Sequence, residues 1–242
     1  MAAYAISVLE VVQDFCGRNG LPVPSAVFGS TDTAVIQYRT LLKQLNRELA
    51  QFNWQQITVR ATFVTIAAED QGDLDLIIGS GVGFPYDAIA QMSVWDETLR
   101  RPVFGPVGDA SWEMLKAFVN TGPLYQYKIF QDHFFINPAP PAGDTIGMVI
   151  KLKSVIVNAG GAPLLNPNAD TCAFIVPPVV VDKGFDYMWK RQKGEAWEDL
   201  FNEYMGLIAK NIVKDANKPI LFLDQSYQNL VPGIWVPAGN WP

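Results

Sequence analysis

Apolar residues recur at helical spacing near the start of the chain. A first helix is predicted over residues 4–16, and a second over residues 32–52. Ser30, Thr31 and Asp32 precede the second helix and supply side-chain oxygens for its free N–H groups. The second helix carries one apolar stripe, which consists of Tyr38, Leu41, Leu42, Leu45, Leu49 and Phe52.

An alternation of apolar and polar residues with a period of two then replaces the helical spacing, which predicts strands. The predicted strands are residues 57–65, 74–78, 89–95, 126–131, 133–136 and 145–157. Residues 69–73 are predicted to form a polar turn between two of these strands. A short helix is predicted over residues 112–118, with Ser111 as its cap, and residues 158–181 are predicted to be rich in loops.

Helical spacing returns over residues 196–214, and a weaker helical pattern covers residues 182–195. The helices can pack together only if the β-rich region leaves their bundle and re-enters it. The predicted fold is therefore α+β: a small helical bundle with an inserted antiparallel β-rich domain and an extended C-terminal arm. The predicted divisions are the N-terminal bundle helices (1–54), the inserted β-rich domain (55–178), the C-terminal bundle helix (179–216) and the arm (217–242).

The C-terminal arm combines prolines with many apolar side chains. Pro219, Pro232 and Pro237 exclude a long helix. A disordered tail is expected to be polar and poor in aromatic residues, which this arm is not. Two interpretations stay open: the arm packs back on its own domain, or it docks on a neighbouring subunit or another protein.

The composition also suggests an extensive partner surface. Charged residues make up 17% of the chain and aromatic residues 12%, and charged residues usually make up about 25%. A chain of this kind often buries much of its surface against partners. The net charge is −6 with no basic run, which argues against high-affinity nucleic-acid binding. An acidic ring can still surround DNA and let it slide.

The cysteines, the N-terminus and the hydropathy of the chain indicate where in the cell the protein is expected. Cys16 and Cys172 lie far apart without metal-ligand spacing, which favours a reducing compartment. The N-terminus lacks the pattern of a signal peptide. We expect no membrane span, because no run of about 18 apolar residues occurs.

The search for catalytic residues favours a protein that is not an enzyme. His133 is the sole histidine, and no nucleophile motif accompanies it, so a structural role is favoured over catalysis. Gly79, Gly81 and Gly83 lack the lysine and the following helix of a phosphate loop. We therefore expect no catalytic residue and no cofactor.

Two residue clusters allow more than one interpretation. The first is acidic and suits Ca²⁺ ligation or paired glycosidase carboxylates, although a polar turn is favoured; it consists of Glu69, Asp70, Asp73 and Asp75. The second is aromatic and suits stacking on nucleic acid or sugar, although core and interface packing is favoured; it consists of Tyr125, Tyr127, Phe130, Phe134 and Phe135.

Three segments in this order carry a resemblance to a known family. They are LLKQLNRELAQFNWQQITVRATF (residues 41–63), SWEMLKAF (residues 111–118) and FFINPAPPAGDT (residues 134–145). Over residues 30–155 the chain resembles the head-to-tail adaptor (tail tubular or connector-type) proteins of short-tailed phages, the podoviruses. That family has a small helical bundle with a β-domain inserted between its helices.

The resemblance implies a structural virion protein that is made in the host cytoplasm. It implies a homo-oligomeric ring, a dodecamer, whose partners are the portal protein and the tail nozzle or tail fibre proteins, with non-specific passage of DNA through the lumen and no membrane partner. The hypothesised portal-binding residues are Phe222, Tyr227, Trp235 and Trp241. The hypothesised subunit-packing residues are Leu41, Leu45, Leu49, Trp197, Phe201 and Tyr204. The alternatives are a β-rich tail component that binds a receptor or glycan and, third, a soluble enzyme.

Overall fold

The computed structural model describes residues 5–78, 86–90, 92–117 and 124–215. Its α-helices are α1 (Val8–Arg18), α2 (Thr33–Ala50), α3 (Leu74–Ile78), α4 (Asp109–Ala117), α5 (Pro178–Lys193) and α6 (Glu198–Asp215). Its strands are β1 (Ile6–Ser7), β2 (Thr58–Val64), β3 (Asp70–Asp73), β4 (Tyr86–Ile89), β5 (Trp95–Asp96), β6 (Arg101–Pro102), β7 (Gln126–Phe130), β8 (His133–Asn137), β9 (Thr145–Leu152), β10 (Ile156–Val157), β11 (Pro163–Leu164) and β12 (Ala173–Phe174).

The fold is mixed α+β with antiparallel sheets, as predicted. The predicted arm, residues 217–242, lies outside the described residues, and so does the glycine-rich loop at residues 79–85.

The larger cluster of buried side chains lies among α1, α2, α5 and α6. Phe15 of α1 is at its centre, with its ring edge-on to the rings of Tyr38, Phe185 and Trp189 at centroid distances of 5.8, 4.9 and 5.4 Å. Each such fully buried side chain stabilises the fold by roughly 1.5–3 kcal/mol relative to an exposed one. These four helices and their flanking strands are called the helical unit below.

Local sequence signals fix the ends of these helices. The Ser7 side chain accepts from the Glu10 N–H, and the Glu10 carboxylate accepts from the Ser7 N–H, which makes a capping box for α1. Asp32 Oδ1 accepts from the Ala34 N–H at 2.8 Å and caps α2. Gly194 caps the C-terminal end of α5, and its φ of 72° is the left-handed conformation that glycine adopts without strain.

A four-stranded sheet ties distant parts of the chain to the helical unit. Its strand order is β1-β12-β10-β11, and Phe174 pairs with both Ile6 and Ile156. Part of the segment from 152 to 176 therefore packs in the same cluster as the helices. This segment lies within the range predicted for the insert.

The second cluster of buried side chains belongs to the β-rich insert. One of its sheets has the order β2-β9-β5-β6, with β4 also on β9, and the other has the order β3-β8-β7. The longest ladder joins β2 to β9 in antiparallel register, from Thr58 opposite Lys151 to Val64 opposite Thr145. This ladder carries the chain out of the helical unit and back to it.

The side chain of Asn46 secures the return of the chain. Asn46 lies on α2 and is fully buried. Its Oδ1 accepts from the Ser154 hydroxyl and from the Val155 N–H, both at 2.9 Å, and its Nδ2 donates to the Leu165 carbonyl at 2.9 Å. One amide therefore satisfies three polar groups of the segment that follows β9.

Two predicted elements of the insert are wrong. The segment predicted as a strand at residues 74–78 is helix α3, since Leu74, Ile77 and Ile78 also have the i, i+3, i+4 spacing of a helix and Leu76 is 51% exposed. The predicted turn at residues 69–73 is strand β3, which pairs with β8 around a bulge where Gly72 has φ of 103°.

Several predicted boundaries also move. Of the strand predicted at residues 89–95, only Ile89 and Trp95 lie in strands, at the end of β4 and the start of β5, and the described residues between them are not strand. Helix α4 begins at Asp109 rather than after Ser111, because the Gly108 carbonyl already accepts from the Trp112 N–H at 2.9 Å.

Helix α5 starts at Pro178, four residues before the predicted start. Proline is tolerated at the first helical position because no N–H is needed there. Val180 and Val181 are fully buried, so their packing outweighs the low helix propensity of β-branched residues.

We expect Asn46→Ala to lower the free energy of unfolding by about 2–4 kcal/mol, because buried polar groups would lose their partner. Urea unfolding followed by circular dichroism measures this change. Gln44→Ala, an exposed change on the same helix, is the control and should lie within about 0.5 kcal/mol of the wild type. Equal effects of the two variants would contradict the role of Asn46.

We expect acidification to stabilise the wild type relative to Asp182→Asn. Burial raises the pKa of the Asp182 carboxyl; Arg18, 3.5 Å away, opposes the rise, and Asp14 and Asp186 add to it. The folded state therefore takes up the proton before the unfolded state does, whose pKa is about 3.9. The contribution of Asp182 to the free energy of unfolding thus rises as the pH falls from above the folded-state pKa to about 3.9, the unfolded-state pKa. Urea unfolding of both proteins between neutral and acidic pH measures it, and parallel curves would contradict the assignment.

Candidate protein-interaction site

A groove of about 520 Å³ lies between α2 and α6, with α5 as its floor. It is lined by Gln44, Arg47, Glu48, Gln51, Phe52, Tyr187, Arg191, Phe201 and Met205. A depression of about 440 Å³ continues it along α2 and α5, and Gln44, Glu48 and Arg191 line both. The two together are called the helical groove below.

Helical spacing brings these side chains to one surface. Gln44, Arg47, Glu48 and Gln51 occur at i, i+3, i+4 and i+7 along α2, so they share one face beside the buried stripe. Phe201 of α6 supplies an apolar side chain on one side of this face, and Phe52, which follows α2, supplies one on the other side. The face is therefore amphipathic and open at the surface.

The carboxylate of Glu48 lies in the groove and engages tyrosines. The Tyr187 hydroxyl donates a hydrogen bond to Glu48 Oε2. Burial, and then this hydrogen bond, raises the pKa of Tyr187; burial, and then the charge of Glu48, raises the pKa of Tyr204. Both phenols therefore stay protonated at neutral pH and can donate towards the carboxylate.

Aromatic rings and a cation form one end of the groove. The Phe201 ring is edge-on to Tyr187 at 5.4 Å and to Trp197 at 5.9 Å between centroids. The Arg191 guanidinium lies 5.4 Å from the centroid of the Trp197 ring, in a cation–π contact. An apolar ligand with polar groups at its ends would find complementary partners here.

The structure separates the hypothesised subunit-packing residues into two sets. Leu41, Leu45, Leu49 and Tyr204 are no more than 3% exposed and pack inside the helical unit itself. They therefore pack within the subunit, because the apolar stripe of α2 faces α5, and Leu41 also borders the depression along these two helices. Trp197 and Phe201 are half-buried; Phe201 lines the groove, and Trp197 packs against the Phe201 ring.

Sequence reasoning missed Arg47, Glu48, Tyr187 and Arg191 as lining residues of a surface groove. A weak signal was present, since the polar residues of α2 follow the same helical period as its stripe. The hypothesised portal-binding residues Phe222, Tyr227, Trp235 and Trp241 lie outside the described residues.

A second cleft, of about 360 Å³, lies where α4 packs on the outer face of β7 and β8. Lys128 is its central charge: its Nζ is 2.8 Å from Asp109 Oδ1 and 5.1 Å from the centroid of the Phe130 ring. Trp112 and Phe135 also line it. This insert cleft combines aromatic rings with charges of both signs.

The acidic segment lies next to the insert cleft, and two of its carboxylates pair with basic side chains. Glu69 pairs with Lys116 at 3.2 Å, and Asp70 pairs with His133 at 3.1 Å. Partial burial acts to raise the pKa of Asp70, but the hydrogen bond from the Gly72 N–H and the contact with His133 outweigh it, so the pKa is lowered. Among the described residues, no group of three or more acidic, histidine or cysteine side chains has a metal-binding arrangement.

The aromatic cluster proposed from the sequence is divided between two faces of the three-stranded sheet. Tyr127 and Phe134 stack in the buried core of the insert at 5.1 Å between centroids, and burial raises the pKa of Tyr127 to about 12. Phe130 is 51% exposed on the other face. The five rings therefore do not form one stacking platform.

Both cysteines, Cys16 and Cys172, are buried free thiols, and burial raises the pKa of Cys16. Within the described part of the chain, no helix is both long enough and apolar enough to cross a bilayer.

Comparison of the chain with known protein families and with curated proteins finds no match.

We expect Gly184→Ala to destabilise the protein by about 1–3 kcal/mol, because the added Cβ would lie 2.6 Å from Leu45 Cδ1 and 2.9 Å from Tyr204 Cε2. The control is Gly206→Ala on α6, where an added Cβ meets no atom within 4 Å. That variant should gain up to about 1 kcal/mol from helix propensity. Thermal unfolding of both variants measures the contrast, and an unchanged Gly184→Ala would contradict the close packing of Leu45 and Tyr204.

Proposed function

We propose that this protein is a structural component of a phage virion, a ring-forming adaptor that joins the portal of the head to the tail. It has no catalytic role in this proposal. Its partners are further copies of itself, the portal protein and the tail nozzle or tail fibre proteins, and the DNA passes through the lumen of the ring.

The observation that carries the proposal is the architecture. The chain leaves a helical unit after α2 and forms a β-rich insert with its own buried cluster. It then returns along β9, and α5 and α6 complete the helical unit. The resemblance noted in residues 30–155 implies this same arrangement for head-to-tail adaptors.

The surfaces support a role in assembly rather than in chemistry. The helical groove presents Phe52, Phe201 and Met205 to solvent between charged residues, and aromatic residues and arginine are enriched at protein interfaces. A net charge of −6 suits a channel that repels DNA and lets it slide. In the proposed complex, Phe222, Tyr227, Trp235 and Trp241 of the arm contact the portal.

Sedimentation and electron microscopy of the full chain mixed with the portal assembly of the same virus test the proposal. We expect a ring of adaptor subunits stacked coaxially on the portal. A chain truncated after Lys214 should stay folded by circular dichroism but fail to join the portal, because it lacks the arm. Phe130→Ser, a change in the insert cleft, is the control and should bind like the wild type.

A wild-type chain that does not join the portal would contradict the adaptor function. Portal binding by the truncated chain would contradict the role of the arm alone.

The insert cleft favours a second candidate, a tail component that binds a receptor or glycan. Phe130 is half-exposed beside the ammonium of Lys128 and the carboxylate of Asp109, and aromatic rings with flanking polar groups are suited to sugars. Binding of the wild type but not of Phe130→Ser to a glycan array, without portal binding, would favour this candidate.

A further inference from the structure

We propose that the helical groove receives residues 218–224 from the C-terminal arm of a neighbouring copy of this chain. The inference rests on the proposed ring and names the contact that links one subunit to the next. It differs from the portal contact, which would use the more distal arm residues.

The lining of the groove suits an apolar segment flanked by charged residues of both signs. The apolar side chains of the lining are Phe52, Phe201 and Met205, and its charged side chains are Arg47, Glu48 and Arg191. The groove has a volume of about 520 Å³ and is open to solvent along its length.

The arm contains a segment with this pattern. Ile220, Leu221, Phe222 and Leu223 are consecutive apolar residues, preceded by Lys218 and Pro219 and followed by Asp224. Lys218 is complementary to Glu48, and Asp224 is complementary to Arg191 and Arg47. Proline at the start favours an extended segment, which suits a groove between helices.

The direction of α6 favours a neighbouring copy over the same chain. The groove extends from Met205 back towards Arg191 and Gln192 at the end of α5, whereas α6 runs on to Asp215. At about 1.5 Å per residue, the ten residues from Met205 carry the chain about 15 Å away from the groove. For Phe222 to reach its own groove, the chain would have to reverse its direction within the seven residues that follow Asp215.

A contact of this kind closes a ring. The arm and the groove are different surfaces of one subunit, so each copy gives an arm to one neighbour and takes an arm from the other. Such head-to-tail contacts form rings when the rotation between copies closes. The 27 residues from 216 to 242 (242 − 215) leave 18 residues beyond Asp224 for the portal.

Disulfide trapping tests the contact. In the full chain, Met205→Cys combined with Phe222→Cys should give a ladder of covalently linked chains on a non-reducing gel when diamide oxidises the portal-bound ring. The native cysteines are no more than 1% exposed. The control pair, Val213→Cys with Phe222→Cys, is closer along the chain and uses a residue that is 71% exposed, yet it should give little linking.

The outcomes separate the inference from the proposed function. Linkage confined to single chains, or equal linkage in the control pair, would overturn the inference while portal binding keeps the adaptor function intact. Loss of portal binding by the wild type would overturn the function itself.

A charge swap provides a second test that needs no cysteine. Arg191→Glu should shift the oligomers measured by native mass spectrometry towards single subunits, and addition of Asp224→Arg should restore them. The absence of rescue in a double variant that folds like the wild type would contradict the assigned pairing.

Discussion

The buried amide of Asn46 is the constraint on which the two-part architecture depends. A chain that leaves a helical unit for an insert must come back to a defined place, or the last helices cannot pack. The amide defines that place by bonding Ser154, Val155 and Leu165 at once. Helices α5 and α6 then pack against α2, and the groove forms between these three helices.

Much of the fold was predictable wherever one periodicity dominated. The stripe of α2 and the hairpin of β7 and β8 have clear periods of 3.6 and 2, and both form as expected. Residues 74–78 could not be assigned in this way, because a short apolar run satisfies both periods. The start of α5 could not be predicted either, because a run of valines has a high strand propensity. Only the burial of these valines in the folded protein favours the helix.

The candidate site was less predictable than the fold, for a physical reason. An apolar stripe identifies the buried face of a helix, and Leu45 and Leu49 accordingly lie in the core. A groove at the surface is made where two helices approach each other, so its lining comes from α2, α5 and α6 together. Phe201 belongs both to the helical spacing predicted over residues 196–214 and to the lining of the groove.

The ladder between β2 and β9 has a mechanical consequence. Both strands join the helical unit at the same end, next to Thr58 and Lys151, so a force that pulls the insert outward stretches the two strands side by side. Tension is then shared by two covalent chains, and the hydrogen bonds between them are not peeled open one by one. An insert attached in this way can bear load while its own sheets remain folded.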